Sequence, residues 1–228
     1  MSDVVRAGAV IVGAGNSQRM GMNKIFLPLA DKPLLAWSVD VCQNCELIDQ
    51  IVIVLNELSL DLGRELVGRR RWSKVVEVCL GGERRQDSVR QGLKELNNCQ
   101  WVVIHDCARP FLTAMLIRDG LKAAQEIGAA IAAVPVKDTI KLGTDDCLVV
   151  ETLARERLWL VQTPQVFRCD IIDRAHEQIR DNVTDDASMV ERLGYEVKLY
   201  MGSYNNIKIT TPEDIIYAEA IARAEQGA

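Results

Sequence analysis

The sequence holds 228 residues, 48% hydrophobic and 26% charged, enough for a sizeable core in one large domain. Asp and Glu outnumber Lys and Arg by 32 to 27, a net charge of −5, which argues against coating nucleic acid or docking electrostatically on an anionic membrane. The ordinary apolar fraction excludes a disordered chain, and no apolar run approaches the length of a bilayer-crossing helix.

In chain order, Val10-Ile11-Val12 opens a series of short β-branched runs. Ile51 to Leu55, Val75 to Val78, Trp101 to Ile104 and Ala129 to Val136 follow. These runs lack polar alternation, as strands covered on both faces do. Between them, Leu34 to Val41, Ser88 to Leu96 and Leu116 to Ile127 carry helical spacing. Strand–helix alternation predicts an α/β sandwich with a mostly parallel sheet, and such sheets bind ligands at the carboxyl ends of their strands. Residues 137–157 break the pattern. Thr139 to Leu142 and Leu148 to Thr152 flank a Gly/Asp turn and read as a hairpin, whose apolar residues call for a partner surface such as a second subunit. Thr211, Pro212, Glu213 and Asp214 start a final helix. An odd count of 7 cysteines, scattered through apolar stretches, suits a reducing cytoplasm; Cys42-Gln-Asn-Cys45 has no second pair at zinc-ribbon spacing.

Three strand ends carry chemistry-bearing residues. Gly13-Ala14-Gly15-Asn16-Ser17-Gln18-Arg19 follows the first strand and leads to Lys24, so small residues lie beside two cations in a loop suited to phosphate. Gln18 fails the dinucleotide fingerprint, and no Gly-Lys-Ser/Thr completes a P-loop; a plain turn is the alternative. Gly81-Gly82-Glu83-Arg84-Arg85-Gln86-Asp87-Ser88 follows the third run, where backbone groups and Ser88 suit a base or ribose and Asp87 suits a helix cap. His105-Asp106-Cys107-Ala108-Arg109 follows the fourth. Asp106 there suits Mg²⁺ and Arg109 a phosphate, with a strand-capping ion pair as the alternative. His105 reads as a packed or exposed histidine rather than a catalytic one. Thr163-Pro164-Gln165 and the run from Asn205 to Thr210, with Lys208, add polar groups beside apolar segments.

These motifs occur in the order seen in one family. The glycine loop with Arg19, Met20 and Lys24, the Gly-Gly…Arg-Gln-Asp-Ser-Val run, His-Asp-x-Ala-Arg-Pro, and Pro135 to Thr139 come first. Thr163-Pro164-Gln165, Thr184-Asp185-Asp186-Ala187-Ser188 and Asn206 to Thr210 complete the set. Together they resemble the 2-C-methyl-D-erythritol 4-phosphate cytidylyltransferase family of isoprenoid precursor biosynthesis, from Ala9 to the last helix. The family loop usually reads Ala-Ala-Gly-x-Gly, so Gly13 and Ser17 are departures, as are Asn23 before the lysine and Glu83 in place of aspartate.

The resemblance implies a Rossmann-like nucleotidyltransferase sandwich forming a single domain over residues 1–228, with no fused cyclase and a dimerisation arm at about 137–157. It implies a cytoplasmic homodimer joining CTP to methylerythritol phosphate with Mg²⁺, and no nucleic-acid or membrane partner. Arg19 and Lys24 would be catalytic. Gly13, Ala14 and Gly15 would meet the triphosphate, and Gly82, Glu83 and Ser88 the nucleoside. Asp106 would hold the metal and, with Arg109, Thr163 and Lys208, surround methylerythritol phosphate, while Thr139 and Arg155 reach it from the partner's arm. A ribitol-5-phosphate cytidylyltransferase and a catalytically silent nucleotide-binding protein are the competing expectations.

Overall fold

A computed structural model describes residues 7–15 and 24–226. The elements run in order as β1 (Ala7–Gly13), β2 (Pro28–Leu29), β3 (Lys32–Pro33), α1 (Leu34–Asn44), β4 (Ile48–Leu55), α2 (Leu60–Arg70), β5 (Val75–Leu80) and α3 (Arg85–Lys94). They continue as β6 (Trp101–Asp106), α4 (Ala114–Ile127), β7 (Ala129–Pro135), β8 (Lys141–Gly143), β9 (Val149–Thr152), β10 (Trp159–Arg168), α5 (Cys169–Gln178), α6 (Asp186–Arg192), β11 (Lys198–Met201) and α7 (Pro212–Gln226).

Seven strands form one sheet in the order β11-β7-β10-β6-β1-β4-β5. All neighbouring pairs are parallel except those of β10, which runs antiparallel to both β6 and β7. The doubly covered reading of the apolar runs follows from side-chain alternation. Ala9, Ile11, Ile53 and Val103 face one core with Leu35 and Val39 of α1 and Ile117 of α4. Val10, Val52, Val54, Val102 and Ile104 face the other, with Val89 of α3, Ile171 of α5 and Met189 of α6. A third cluster packs Ala218 and Ala222 of α7 on Leu29, Phe111 and Ile209. It draws the segment before α7 back to the site end of the sheet, where the Ile209 N–H donates to the Ala108 carbonyl at 2.8 Å.

Register aligns the loops that matter. Val12 pairs with Asp106 and Gly13 with Leu55, so β1 and β6 end side by side. The chain then continues the ladder: Cys107 N–H donates to Val12 O at 2.9 Å, and Gly81 N–H to Leu55 O at 2.8 Å. Gly81 is required there, because a Cβ would lie 2.4 Å from that of Ala14. Since β1 sends its successor β4 to one side while β6 lies on the other, the strand order reverses at this point, where open α/β sheets open a crevice.

Of the boundaries that differ from the sequence reading, two lie at the site end of the sheet. β5 runs on to Leu80, and α3 starts at Arg85 rather than near Ser88. Arg84 occupies the cap rather than the expected Asp87, which stands third in the helix and binds the Arg84 side chain and N–H, so an ion pair marks the helix start. The hairpin appears as β8 and β9, with Leu142, Leu148, Val149 and Val150 exposed. Among the described residues no helix is long and apolar enough to cross a membrane.

Close docking of α3 on the sheet depends on Gly92, where a Cβ would lie 2.5 Å from Val10 Cγ1 and 2.8 Å from Val54 Cγ2. Gly92→Ala should lower the unfolding free energy by about 1–3 kcal/mol in urea denaturation, the usual cost of overpacking a close-packed contact. An unchanged midpoint would mean that α3 does not pack this tightly.

Candidate active site

Asp106 ends β6 with its side chain almost buried between two cations. Arg85 Nε donates to Oδ1 at 2.9 Å, and Lys208 Nζ donates to Oδ2 at 2.7 Å. Burial alone pushes this carboxyl up, but the charges of Arg85 and Lys208 outweigh it and hold Asp106 well below the usual carboxylate range. Arg85 is anchored from behind: its Nη1 donates to Oδ2 of the fully buried Asp186 at 2.6 Å. His176 Nε2 stands 3.3 Å from the other oxygen of Asp186. Burial raises the Asp186 carboxyl too, and Arg85 foremost brings it below its ordinary value.

Two hollows meet at this cluster. The larger, about 540 Å³, is walled by Gly13, Ala14, Gly15, Lys24, Gly82 and Glu83, with Arg84, Arg85, Ser88, Asp106 and Lys208. The smaller, about 350 Å³, is walled by Arg109, Thr163, Gln165, Asp185, Ser188 and Glu191. Arg85, Asp106 and Lys208 line both. Lys24 enters from the turn after the glycine loop, and its Nζ donates to Ile209 O at 2.9 Å. The Ser88 hydroxyl is buried and holds its own loop, accepting from Gly82 N–H at 3.1 Å and lying 3.1 Å from Arg84 O. Glu83 is exposed at the rim.

Arg109 and Thr163 are fixed by a neutral histidine. His105 is completely buried, and that burial drives its pKa down to about 4. Its Nε2 lies 2.9 Å from Arg109 O, and its Nδ1 lies 3.0 Å from Thr163 Oγ1. A carbonyl only accepts, so the single ring proton sits on Nε2 and the Thr163 hydroxyl donates to Nδ1. Thr163 Oγ1 in turn accepts from the Asp106 N–H at 3.0 Å.

Lys24, Asp106, Lys208, Arg109, Thr163, Gly13, Ala14, Gly15, Gly82, Glu83 and Ser88 therefore line one or both of the joined hollows. Arg19, with Ser17 and Asn23, lies outside the described residues. Thr139 and Arg155 line neither hollow of their own chain; Thr139 is exposed, and Arg155 Nη1 donates to Lys137 O at 2.7 Å on the arm. Arg85 and Asp186 were not among the expected site residues. Each lies within a quoted motif, but only the fold joins positions 101 residues apart.

Among the described residues no three His, Cys, Asp or Glu side chains cluster as a metal cage. One ionised carboxylate at the junction of the two hollows still suits Mg²⁺, which takes one or two carboxylates and fills its other positions with substrate phosphates and water. The carboxylate retains acceptor capacity beyond its bonds to Arg85 and Lys208.

The crevice at the strand-order reversal, the glycine-lined wall and the paired cations around one carboxylate define a nucleotidyltransferase of the Rossmann-like α/β class. The family model described as IspD, 2-C-methyl-D-erythritol 4-phosphate cytidylyltransferase, matches residues 7–224, and the chain belongs to that family. It is 51% identical over 219 residues to the 2-C-methyl-D-erythritol 4-phosphate cytidylyltransferase of Dehalococcoides mccartyi, covering 96% of each chain. The crystal structure of 4-diphosphocytidyl-2C-methyl-D-erythritol synthase from Anaerococcus prevotii superposes with a TM-score of 0.85 at 30% identity, over 97% of this chain and 100% of that one. The enzyme of that first name from Thermus thermophilus gives 0.77 at 32% identity, over 94% and 98%.

The folded chain holds His105 neutral, whereas the unfolded chain takes up a proton near the ordinary value of 6.5. Its share of stability is complete above that value and is lost as the pH falls toward 4. Between pH 7 and pH 5 that share amounts to about 2 kcal/mol. Urea denaturation should show this loss, and His105→Gln should lose correspondingly less over the same interval. Equal losses in the two proteins would contradict a neutral buried histidine.

Proposed function

We propose that the chain transfers the cytidylyl group of CTP to 2-C-methyl-D-erythritol 4-phosphate, releasing pyrophosphate. The junction carries this reading: two hollows, one bordered by the glycine loop, share a single ionised carboxylate flanked by Arg85 and Lys208. CTP occupies the larger hollow, with its triphosphate along Gly13, Ala14 and Gly15 and its nucleoside against Gly82, Glu83 and the Ser88-held loop. Methylerythritol phosphate occupies the smaller one, against Arg109, Thr163 and Lys208.

An oxygen of the methylerythritol phosphate attacks the α-phosphorus; the new P–O bond forms as the bond to pyrophosphate breaks. The nucleophile is already an anion, so no general base is needed, and positioning with positive charge supplies the catalysis. Lys24 and Arg19 stabilise charge developing on the α-phosphate, and Lys208 orients the attacking phosphate. Asp106 holds Mg²⁺, whose charge, when bound, offsets that of the phosphate oxygens.

The enzyme works as a cytoplasmic homodimer, with Thr139 and Arg155 of the partner subunit completing the smaller hollow. Four exposed apolar side chains on the β8–β9 hairpin, which a monomer leaves in water, support the dimer. The free cysteines support a reducing compartment.

Pyrophosphate release should require CTP, methylerythritol phosphate and Mg²⁺ together, and should be slower with ribitol 5-phosphate as second substrate. Lys24→Ala should lower kcat by about a hundredfold, the scale of losing one well-placed transition-state charge. A preference for ribitol 5-phosphate, or a fully active Lys24→Ala, would overturn the assignment.

A further inference from the structure

Three segments distant in sequence meet beneath the smaller hollow: the loop after β6, the middle of β10, and the stretch leading to α7. They are linked by a closed circuit of hydrogen bonds. His105 Nε2–H donates to Arg109 O at 2.9 Å, and Arg109 Nη1 donates to Asn206 O at 2.7 Å. Asn206 Nδ2 donates to Thr163 O at 2.8 Å, and the Thr163 hydroxyl donates to His105 Nδ1 at 3.0 Å. His105 and Asn206 are both fully buried and line neither hollow, so neither can touch substrate.

We infer that His105 and Asn206 are positioning residues, whose closed circuit fixes Arg109 and Thr163 as one rigid receptor for the phosphate and polyol of the second substrate. This inference rests on the reading of the smaller hollow as the methylerythritol phosphate site.

Each circuit member fixes a different degree of freedom. His105 holds the Arg109 backbone and the Thr163 side chain, while Asn206 holds the Thr163 backbone and the Arg109 guanidinium. Two residues are thereby clamped at both ends. The carbonyl of Arg109 has a second donor in Ser38 Oγ at 3.2 Å, so loss of the histidine leaves it hydrogen-bonded but no longer tied to Thr163. Asp106, Ala108, Lys208 and Thr210, from two of these three segments, also border the larger hollow, but none of the four circuit residues lines it and its wall of Gly82, Glu83 and Ser88 lies elsewhere, so opening the circuit acts first on the second substrate.

Two substitutions divide the histidine's roles. His105→Asn retains an acceptor near the Nδ1 position for Thr163 and loses the link to Arg109 O. His105→Gln retains a donor near the Nε2 position for Arg109 O and loses the link to Thr163. Asn206→Leu opens the circuit from its far side at similar volume.

Steady-state kinetics with CTP and methylerythritol phosphate, together with calorimetric CTP binding, test the inference. Each variant should raise KM for methylerythritol phosphate by about tenfold, the scale of one lost buried hydrogen bond, with KM and Kd for CTP within about twofold. Parallel shifts in both KM values, unchanged kinetics, or collapse of all three variants to unfolded chains would overturn it, since each means that these residues do not selectively position the second site. Wild-type protein that makes no pyrophosphate from this substrate pair would overturn the cytidylyltransferase reading itself, and the inference with it. Wild-type turnover with variants that fail the KM split would remove the inference alone.

Discussion

One buried carboxylate between two cations organises the site end of this molecule. Asp106 is ionised because Arg85 and Lys208 stand on its two oxygens, and their positive charge exceeds the cost of its burial. Arg85 can afford its place only because Asp186, wholly buried, meets its other face. Removing either partner of such a pair leaves an uncompensated charge, which is far more costly than the net gain of forming it. The carboxyl end of β6, the start of α3, the start of α6 and the irregular segment before α7 are therefore tied to one point by charge. Apolar packing of the two sheet faces delivers those elements to that point but does not fix the last ångström.

The same cluster reconciles an acidic chain with polyanionic substrates. A net charge of −5 is spread over the whole surface. Lys24, Arg85, Arg109 and Lys208 are gathered around two joined hollows. Arg85 Nη2 and Arg109 Nε are buried nitrogens without a hydrogen-bond acceptor among the described residues, so the donors there exceed what the chain itself consumes. Phosphoryl chemistry demands little else from a protein. Its transition state gathers charge on phosphate oxygens, and fixed donors in a partly dry pocket act on that charge without reorganising. His105 and His176 take no part in proton transfer under this scheme; one orders the smaller hollow, and the other backs the carboxylate that anchors Arg85.

Much of the sheet was legible from sequence because its signal is local. Val10 to Val12, Ile51 to Leu55 and Trp101 to Ile104 are β-branched or aromatic runs too short for helices, and a glycine-rich loop after the first needs no tertiary information to suggest an anion site. β10 was not legible as a strand. It carries Pro164 in its interior, and its pairing with β7 shifts register between Val161 and Gln165, so neither alternation nor an unbroken run marks it. Its antiparallel direction could not be foreseen for the same reason. Lys24, Asp106, Arg109, Thr163 and Lys208 were named from ordered motifs, and the fold gathers them around two hollows. Arg85 and Asp186 are not legible as site residues, because an arginine following a helix cap and an aspartate in a run of polar residues carry no individual signature. Their significance is the 2.6 Å bond between them, a product of α3 and α6 packing on the same face. The sequence left His105 either packed or exposed, and the fold buries it; which backbone and hydroxyl it holds is visible only once β6, β10 and the loop at Arg109 meet.

In this scheme all substrate chemistry converges on Asp106. A crystal structure of the chain with CTP and Mg²⁺ tests it most directly. The predicted result places the triphosphate along Gly13, Ala14 and Gly15 beside Lys24, with Mg²⁺ on Asp106. Nucleotide bound outside the larger hollow, or a metal held without Asp106, would contradict it.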